Sequence, residues 1–226
     1  MTAQPYWIGF GDIHDDVSAV KRLVATPELS GAAGLIISGD LTLRGDAANA
    51  QPVLDAARSL GKPVLAQIGN MDQDSVDAYL TTEGVNIHAS GRMTPEGIGI
   101  FGVGWSTPTP CSTPSETDEA HIAAWLAKAH AAVAGCRRLL LVTHTPPVET
   151  ATDRIDSGAH VGSRAVRDCI ERVQPDVCLT GHIHEARAVD TIGRTVIINP
   201  GALSAGGYAR IIFDPAGGLT ASLASL

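Results

Sequence analysis

Apolar residues along this chain come in short unbroken runs, and between them apolar positions return every three or four residues. The runs predict strands at Tyr6–Phe10, Leu35–Ser38, Val64–Ile68, Ile98–Val103, Arg138–Thr143, Val177–Thr180, Thr195–Ile198 and Ala209–Phe213. Several, such as LLLV and TVII, are continuous rather than alternating, as expected of strands covered on both faces. The helical spacing predicts helices at Val17–Ala25, Ala47–Leu60, Ser75–Leu80, Glu116–Ala134 and Ser163–Val173. The fourth is expected to start behind the cap-like Thr113-Pro114-Ser115-Glu116 and to bury Ile122, Trp125, Leu126 and Ala129 as one stripe. After Asp176 the pattern changes to short strands with turn signals at Thr191–Arg194 and Asp214–Gly218. Parallel β/α units thus give way to an antiparallel C-terminal portion, and residues 1–226 read as one domain without linker, repeat or low-complexity tail. Thr107–Pro114 reads as a surface loop.

The polar residues fall in telling places. Asp12 and His14 follow the first strand, Asp40 the second and Asn70 the third. His144 follows LLLVT, and His182 with His184 follow CLTG. Each group stands at the C-terminal end of a predicted strand, the edge where ligand crevices form in open α/β sheets. Taken singly, each piece has an ordinary explanation. Asp-x-His after a strand is commonly a helix cap beside a surface His, and Gly-Asp or Gly-Asn is usually a turn. In order and together, they offer four imidazoles, two carboxylates and an amide, an all-N/O donor set without thiolates. Such a set suits Mn²⁺, Fe, Zn²⁺ or Ni²⁺ rather than a Cys-bound structural zinc. Seven donors exceed what one ion normally takes from a protein and suit two ions sharing a carboxylate.

Composition narrows the classes further. With 44% hydrophobic and 18% charged residues the chain is not intrinsically disordered. Aromatics are only 4%, so the core must be aliphatic. A chain of 226 residues can bury enough surface to need no disulfide. Sixteen Lys+Arg against 24 Asp+Glu give a net charge of −8, which argues against strong nucleic-acid binding. A phosphate substrate stays open if bound cations supply the positive charge. Cys111, Cys136, Cys169 and Cys178 form no C-x-x-C pair and read as free thiols in a reducing cytoplasm. The N-terminal stretch lacks a basic n-region, and no run approaches the ~20 apolar residues of a membrane span. A cytoplasmic protein with no membrane association is expected.

The five blocks GDIH, GD, GNMD, THTPP and GHIH resemble the calcineurin-like metallophosphoesterase superfamily, whose pattern is D-x-H, G-D, G-N-H-[ED], a His and G-H-x-H. The resemblance runs from Gly11 to about Gly201. The segment HVGSRAVRDCIERVQPDVCLTGHIHEA and the later INPGA are similar to prokaryotic phosphoesterases related to cyclic-nucleotide phosphodiesterases. The family fold is a four-layer α/β/β/α sandwich. The resemblance implies two divalent metal ions, one on Asp12, His14, Asp40 and His184, the other on Asp40, Asn70, His144 and His182. Asp40 would bridge, and Asp40, Asn70 and His144 would form the catalytic core around a metal-bridging hydroxide that attacks a phosphoester.

One position departs from the pattern. Met71 stands where the family commonly has the His that protonates the leaving group, and a thioether has no proton to give. Some members with another residue there are regarded as phosphodiesterases, others as scaffolds that bind partner proteins. The expected substrate is therefore a phosphodiester, in a small molecule or nucleotide. A nucleotide phosphomonoesterase and a catalytically weak scaffold are the alternatives. Asp72 matches the acidic position and would lie beside an imidazole at 71, though it has no assigned role here. Arg44, just after GDLTL, is a candidate substrate-phosphate contact. His88, His121, His130 and His160 are expected to be ordinary histidines. Asn199-Pro200-Gly201-Ala202 reads as a structural turn whose backbone approaches the site, and Thr145–Gly162 as a long loop shaping access or a homo-oligomer contact.

Overall fold

The continuous apolar runs form strands because both of their faces are covered, and consecutive side chains point into different cores. A computed structural model describes residues 4–214 and 218–226. In chain order, β1 (Tyr6–Phe10), α1 (Val17–Val24), β2 (Gly34–Ile37), α2 (Ala47–Arg58), β3 (Val64–Ala66) and α3 (Asp74–Thr82) form the first half. Then come β4 (Ser90–Met93), β5 (Ile98–Val103), α4 (Glu119–Ala131), β6 (Arg138–Thr143), α5 (Arg164–Val173) and β7 (Val177–Leu179). The chain closes with β8 (Ala188–Ile192), β9 (Thr195–Asn199), β10 (Gly207–Asp214) and β11 (Gly218–Ser225).

Two mixed sheets result, ordered β11-β10-β1-β2-β3 and β4-β5-β6-β7-β9-β8. In the first, Ile8, Phe10, Leu35 and Ile37 face α1, α2 and α3 through Val20, Leu23, Val53, Leu54, Val76 and Leu80. On its other face, Trp7 and Ile36 meet Ile100, Leu140, Val142 and Leu179 of the second sheet. The second sheet turns Phe101, Leu139 and Leu141 outward onto α4 and α5. The expected α/β/β/α layering is therefore the architecture found, and alternate residues of each central strand feed different layers.

The structure differs from the expectation at the edges. Strands β4, β8 and β11 escape the apolar signal because each lies at a sheet edge and carries many exposed or half-exposed residues. Helix α4 begins at Glu119, three residues later than expected, with Asp118 accepting the His121 amide at 2.9 Å as its cap. Its stripe is Ile122, Leu126 and Ala129, with Trp125 only partly covered. Part of the expected turn at Asp214–Gly218, residues 215–217, lies outside the described residues. Among the described residues no helix is long and apolar enough to cross a membrane.

Candidate metal centre

All seven candidate donors stand on loops that leave the C-terminal ends of parallel strands: β1, β2 and β3 in one sheet, β6 and β7 in the other. Cross-loop bonds lock these loops to one another. The Ile13 amide donates to the Asp40 carbonyl at 2.8 Å, and the Gly181 amide to the His144 carbonyl at 3.1 Å. The His182 amide reaches the Asp12 carboxylate at 3.1 Å and joins the two sheets. Four donors sit on left-handed backbone: Asp12 (φ 50°), His14 (φ 49°), Asp40 (φ 52°) and His182 (φ 71°). Such residues cost about 1–3 kcal/mol each and persist only where surrounding contacts enforce them. The glycines between them are required by space. A side chain on Gly39 (φ 128°) would come within 2.5 Å of His144 Nδ1, and one on Gly69 would strike the Asp40 carboxylate.

The donor atoms cluster tightly. His14 Nε2 lies 3.2 Å from His184 Nε2, which is 3.5 Å from Asp12 Oδ1. Asp40 Oδ2 lies 3.8 Å from His14 Nε2 and 3.4 Å from His144 Nε2. His144 Nε2 is 2.9 Å from Asn70 Oδ1, and the His144 and His182 rings are 5.1 Å apart. Two groups have the spacing to hold an ion, Asp12 with His14 and His184, and Asp12 with Asp40 and His144. Asp12 thus belongs to both groups, while Asp40 Oδ2 reaches toward an imidazole in each.

The residues fit divalent metal ions. So many lone pairs brought out of water are unfavourable unless a cation or protons lie among them. The buried Nδ1 atoms of His14 and His144 have no hydrogen-bond partner. Burial and the positive charge of His144 push His182 down to about 4, leaving its ring neutral with a free lone pair. Burial opposes charge on His144, but Asp40 lifts it to about 9. Burial alone would raise Asp12, yet the hydrogen bond to His184 and the nearby imidazoles hold it down to about 2. The cluster is therefore built around charge, and a metal binding there would displace protons.

Three supporting residues act in ways the sequence did not assign. The Asp72 carboxylate accepts the Leu41 and Gly69 amides at 3.1 and 2.9 Å, and the Thr42 amide and hydroxyl at 2.8 Å. It clamps the loops that carry Asp40 and Asn70. Burial and the Asp40 charge push its carboxyl up to about 7, against the hydrogen bonds from Gly69 and Thr42. Each of its oxygens accepts two hydrogen bonds, which leaves Asp72 little capacity to orient an imidazole at 71. Thr113 accepts from Asn70 Nδ2 at 3.0 Å and donates to Glu116 at 2.6 Å, which sets which face of the Asn70 amide meets His144. Asn199 donates to the Ile183 carbonyl at 2.9 Å and holds the loop between His182 and His184, so the Asn-Pro-Gly turn does support the site.

Thr107–Pro114 is the exposed surface loop expected, and as an arch it also walls a cleft of about 700 Å³ shared with His14, Asp40, Asn70, His182 and His184. Arg44 lines this cleft, with its guanidinium donating to the Cys111 and Ser112 carbonyls at 2.8 and 3.2 Å. Met71 also lines it, and its amide donates to Asp40 Oδ1 at 2.8 Å. Within Thr145–Gly162, Asp153 is buried and gathers the Thr150 and Gly162 amides and the His160 ring, while Ile155 and Val161 reach the cleft.

Comparison with known proteins agrees with this geometry. The protein MJ1162 of Methanocaldococcus jannaschii, described only as uncharacterized, is 34% identical over 198 residues, covering 85% of this chain and 86% of that one. The crystal structure of TT1561 from Thermus thermophilus superposes with a TM-score of 0.72 at 17% identity, covering 97% and 99% of the two chains. A dimetal phosphatase from Danio rerio superposes with a TM-score of 0.64 at 10% identity, covering 98% of each. The model of the calcineurin-like phosphoesterase superfamily domain matches residues 8–211, and this chain belongs to that superfamily.

Proposed function

We propose that this chain is a metal-dependent hydrolase of phosphodiesters. Asp12, His14, Asp40 and His184 would hold one divalent ion, and Asp40, Asn70, His144 and His182 a second. The observation that carries this reading is the meeting of seven nitrogen and oxygen donors from five separate loops, five of which (His14, Asp40, Asn70, His182 and His184) line one open cleft. Bound there, the ions supply an activated water and positive charge against the phosphoryl oxygens. The chain's own residues bind and orient. Asp72 holds the Asp40 and Asn70 loops in register, Thr113 turns the Asn70 amide, and His182 stays neutral so that its nitrogen can bind. Met71 offers no proton, so the leaving group must depart without one from that position. This favours diesters with acidic leaving groups. Four free cysteines suit a reducing cytoplasm, where we place the protein.

The likeness in fold to a dimetal phosphatase is in keeping with two ions, and a nucleotide phosphomonoesterase is the second reading. The test is metal analysis of the purified protein, followed by diester and monoester assays in Mn²⁺. About two equivalents of metal and faster turnover of diesters are expected. Faster turnover of monoesters would move the assignment to the second reading. Bound metal with no turnover of either class would leave a scaffold.

A further inference from the structure

The cleft in front of the donors is far larger than a phosphoryl group, and three separate loops turn apolar side chains into it. Leu43 comes from the loop after β2, Pro108 and Pro110 from the arch, and Ile155 and Val161 from the loop after β6. Leu43 is 57% exposed and Val161 38%, two of the few large apolar side chains that the described residues leave in water. Large apolar groups left in solvent at one concave place mark a binding surface. Several polar groups of the wall are already engaged. Arg44 is spent on the Cys111 and Ser112 carbonyls, and the hydroxyls of Thr109 and Thr113 donate to Glu116. Among the described residues Arg44 is the one Lys or Arg of the cleft, and it is tied to the carbonyls of the arch, so little fixed positive charge faces a second or third phosphate.

We propose that this cleft seats the organic group of the substrate and that this group is a hydrocarbon, so that the substrate is a singly charged phosphodiester with an apolar alkyl or aryl arm. This rests on the phosphoesterase reading above and names its substrate class. The donors would take the phosphoryl group. Leu43, Ile155, Val161 and the two prolines would take the arm.

The experiment uses the Mn²⁺-loaded protein and two readouts. Calorimetric binding of dimethyl, diethyl and dibutyl phosphate should tighten by about three- to fourfold per buried methylene, with an increasingly negative heat-capacity change. Turnover of methyl, butyl and phenyl esters of 4-nitrophenyl phosphate, which share one leaving group, should rise in kcat/KM in the same order. Leu43→Asn with Val161→Asn, both exposed and safe for folding, should flatten both series. Affinity independent of arm length, or tighter binding of a cyclic nucleotide than of dibutyl phosphate, overturns the inference. If the methyl ester is still turned over in that case, the phosphoesterase reading survives. Length-dependent binding without turnover of any ester supports the apolar subsite and sinks the phosphoesterase reading instead.

Discussion

His14 and His184 are 170 positions apart, yet their Nε2 atoms face each other across 3.2 Å. Two imidazole nitrogens at that distance repel unless a proton or a cation lies between or beside them. Asp12 and Asp40 complete the surroundings, with carboxylate oxygens 3.5 Å from His184 and 3.8 Å from His14. Asp12, His14 and His184 have the spacing to hold one ion.

Asp40 reaches toward both halves of the cluster. Asp40→Ala should therefore remove metal from both sites and abolish turnover. The fold should stay largely intact, because the core is aliphatic and the lost bond from the Met71 amide to the carboxylate is worth about 1.5–3 kcal/mol. Circular dichroism with metal analysis checks this. A variant that keeps two equivalents of metal per chain disproves the shared role.

His144 lies with Asn70, Asp40 and His182, away from the His14–His184 pair. His144→Ala should lower occupancy at one site while the Asp12, His14 and His184 group keeps its ion. Anomalous maps from crystals of the variant read this directly, and equal loss at both sites counts against the partition.

Thr113 acts on the centre through Asn70. Thr113→Val removes the hydroxyl that fixes the Asn70 amide, so affinity for one ion should fall by about 10- to 100-fold. Thr113→Ser should restore it, because the hydroxyl returns. Metal titration followed by calorimetry distinguishes this from general destabilisation, which the melting temperature would report.

Met71 tests where the leaving group finds its proton. General-acid help is typically worth about 10²–10⁴-fold. Met71→His should improve alkyl esters more than aryl esters but fall short of that range, since Asp72 is engaged with Leu41, Thr42 and Gly69. The measurement is the slope of log kcat/KM against leaving-group pKa in both proteins. A shallow slope already in the parent means that another group supplies the proton.

Glu116 gives the arch a pH dependence. Burial opposes its charge, but the hydrogen bonds from Thr109 and Thr113 hold it at about 2, below its ordinary 4.5. A carboxyl depressed in the fold stabilises fully above its unfolded value, and that stabilisation is lost as pH falls toward the folded one. The melting-temperature gap between the parent and Glu116→Gln should be widest above pH 4.5 and close toward pH 2. A constant gap would mean that the carboxylate charge is not what anchors the arch.

The sequence alone determined the central strands, their burial on both faces, and the order in which Asp12, His14, Asp40, Asn70, His144, His182 and His184 follow them. Those features are local, because an unbroken aliphatic run and the polar residue after it need no distant contact to be read. The edge strands β4, β8 and β11 were not legible, since a strand with one open side tolerates polar residues. Nor was the work of Asp72, Thr113, Glu116 and Asn199, whose partners lie on other loops. Only the tertiary structure bent four donors into left-handed backbone, turned Arg44 onto the arch and gathered apolar side chains from three loops around one cleft. The packing of two sheets decided these things, because it brings loop ends together that the chain itself keeps far apart.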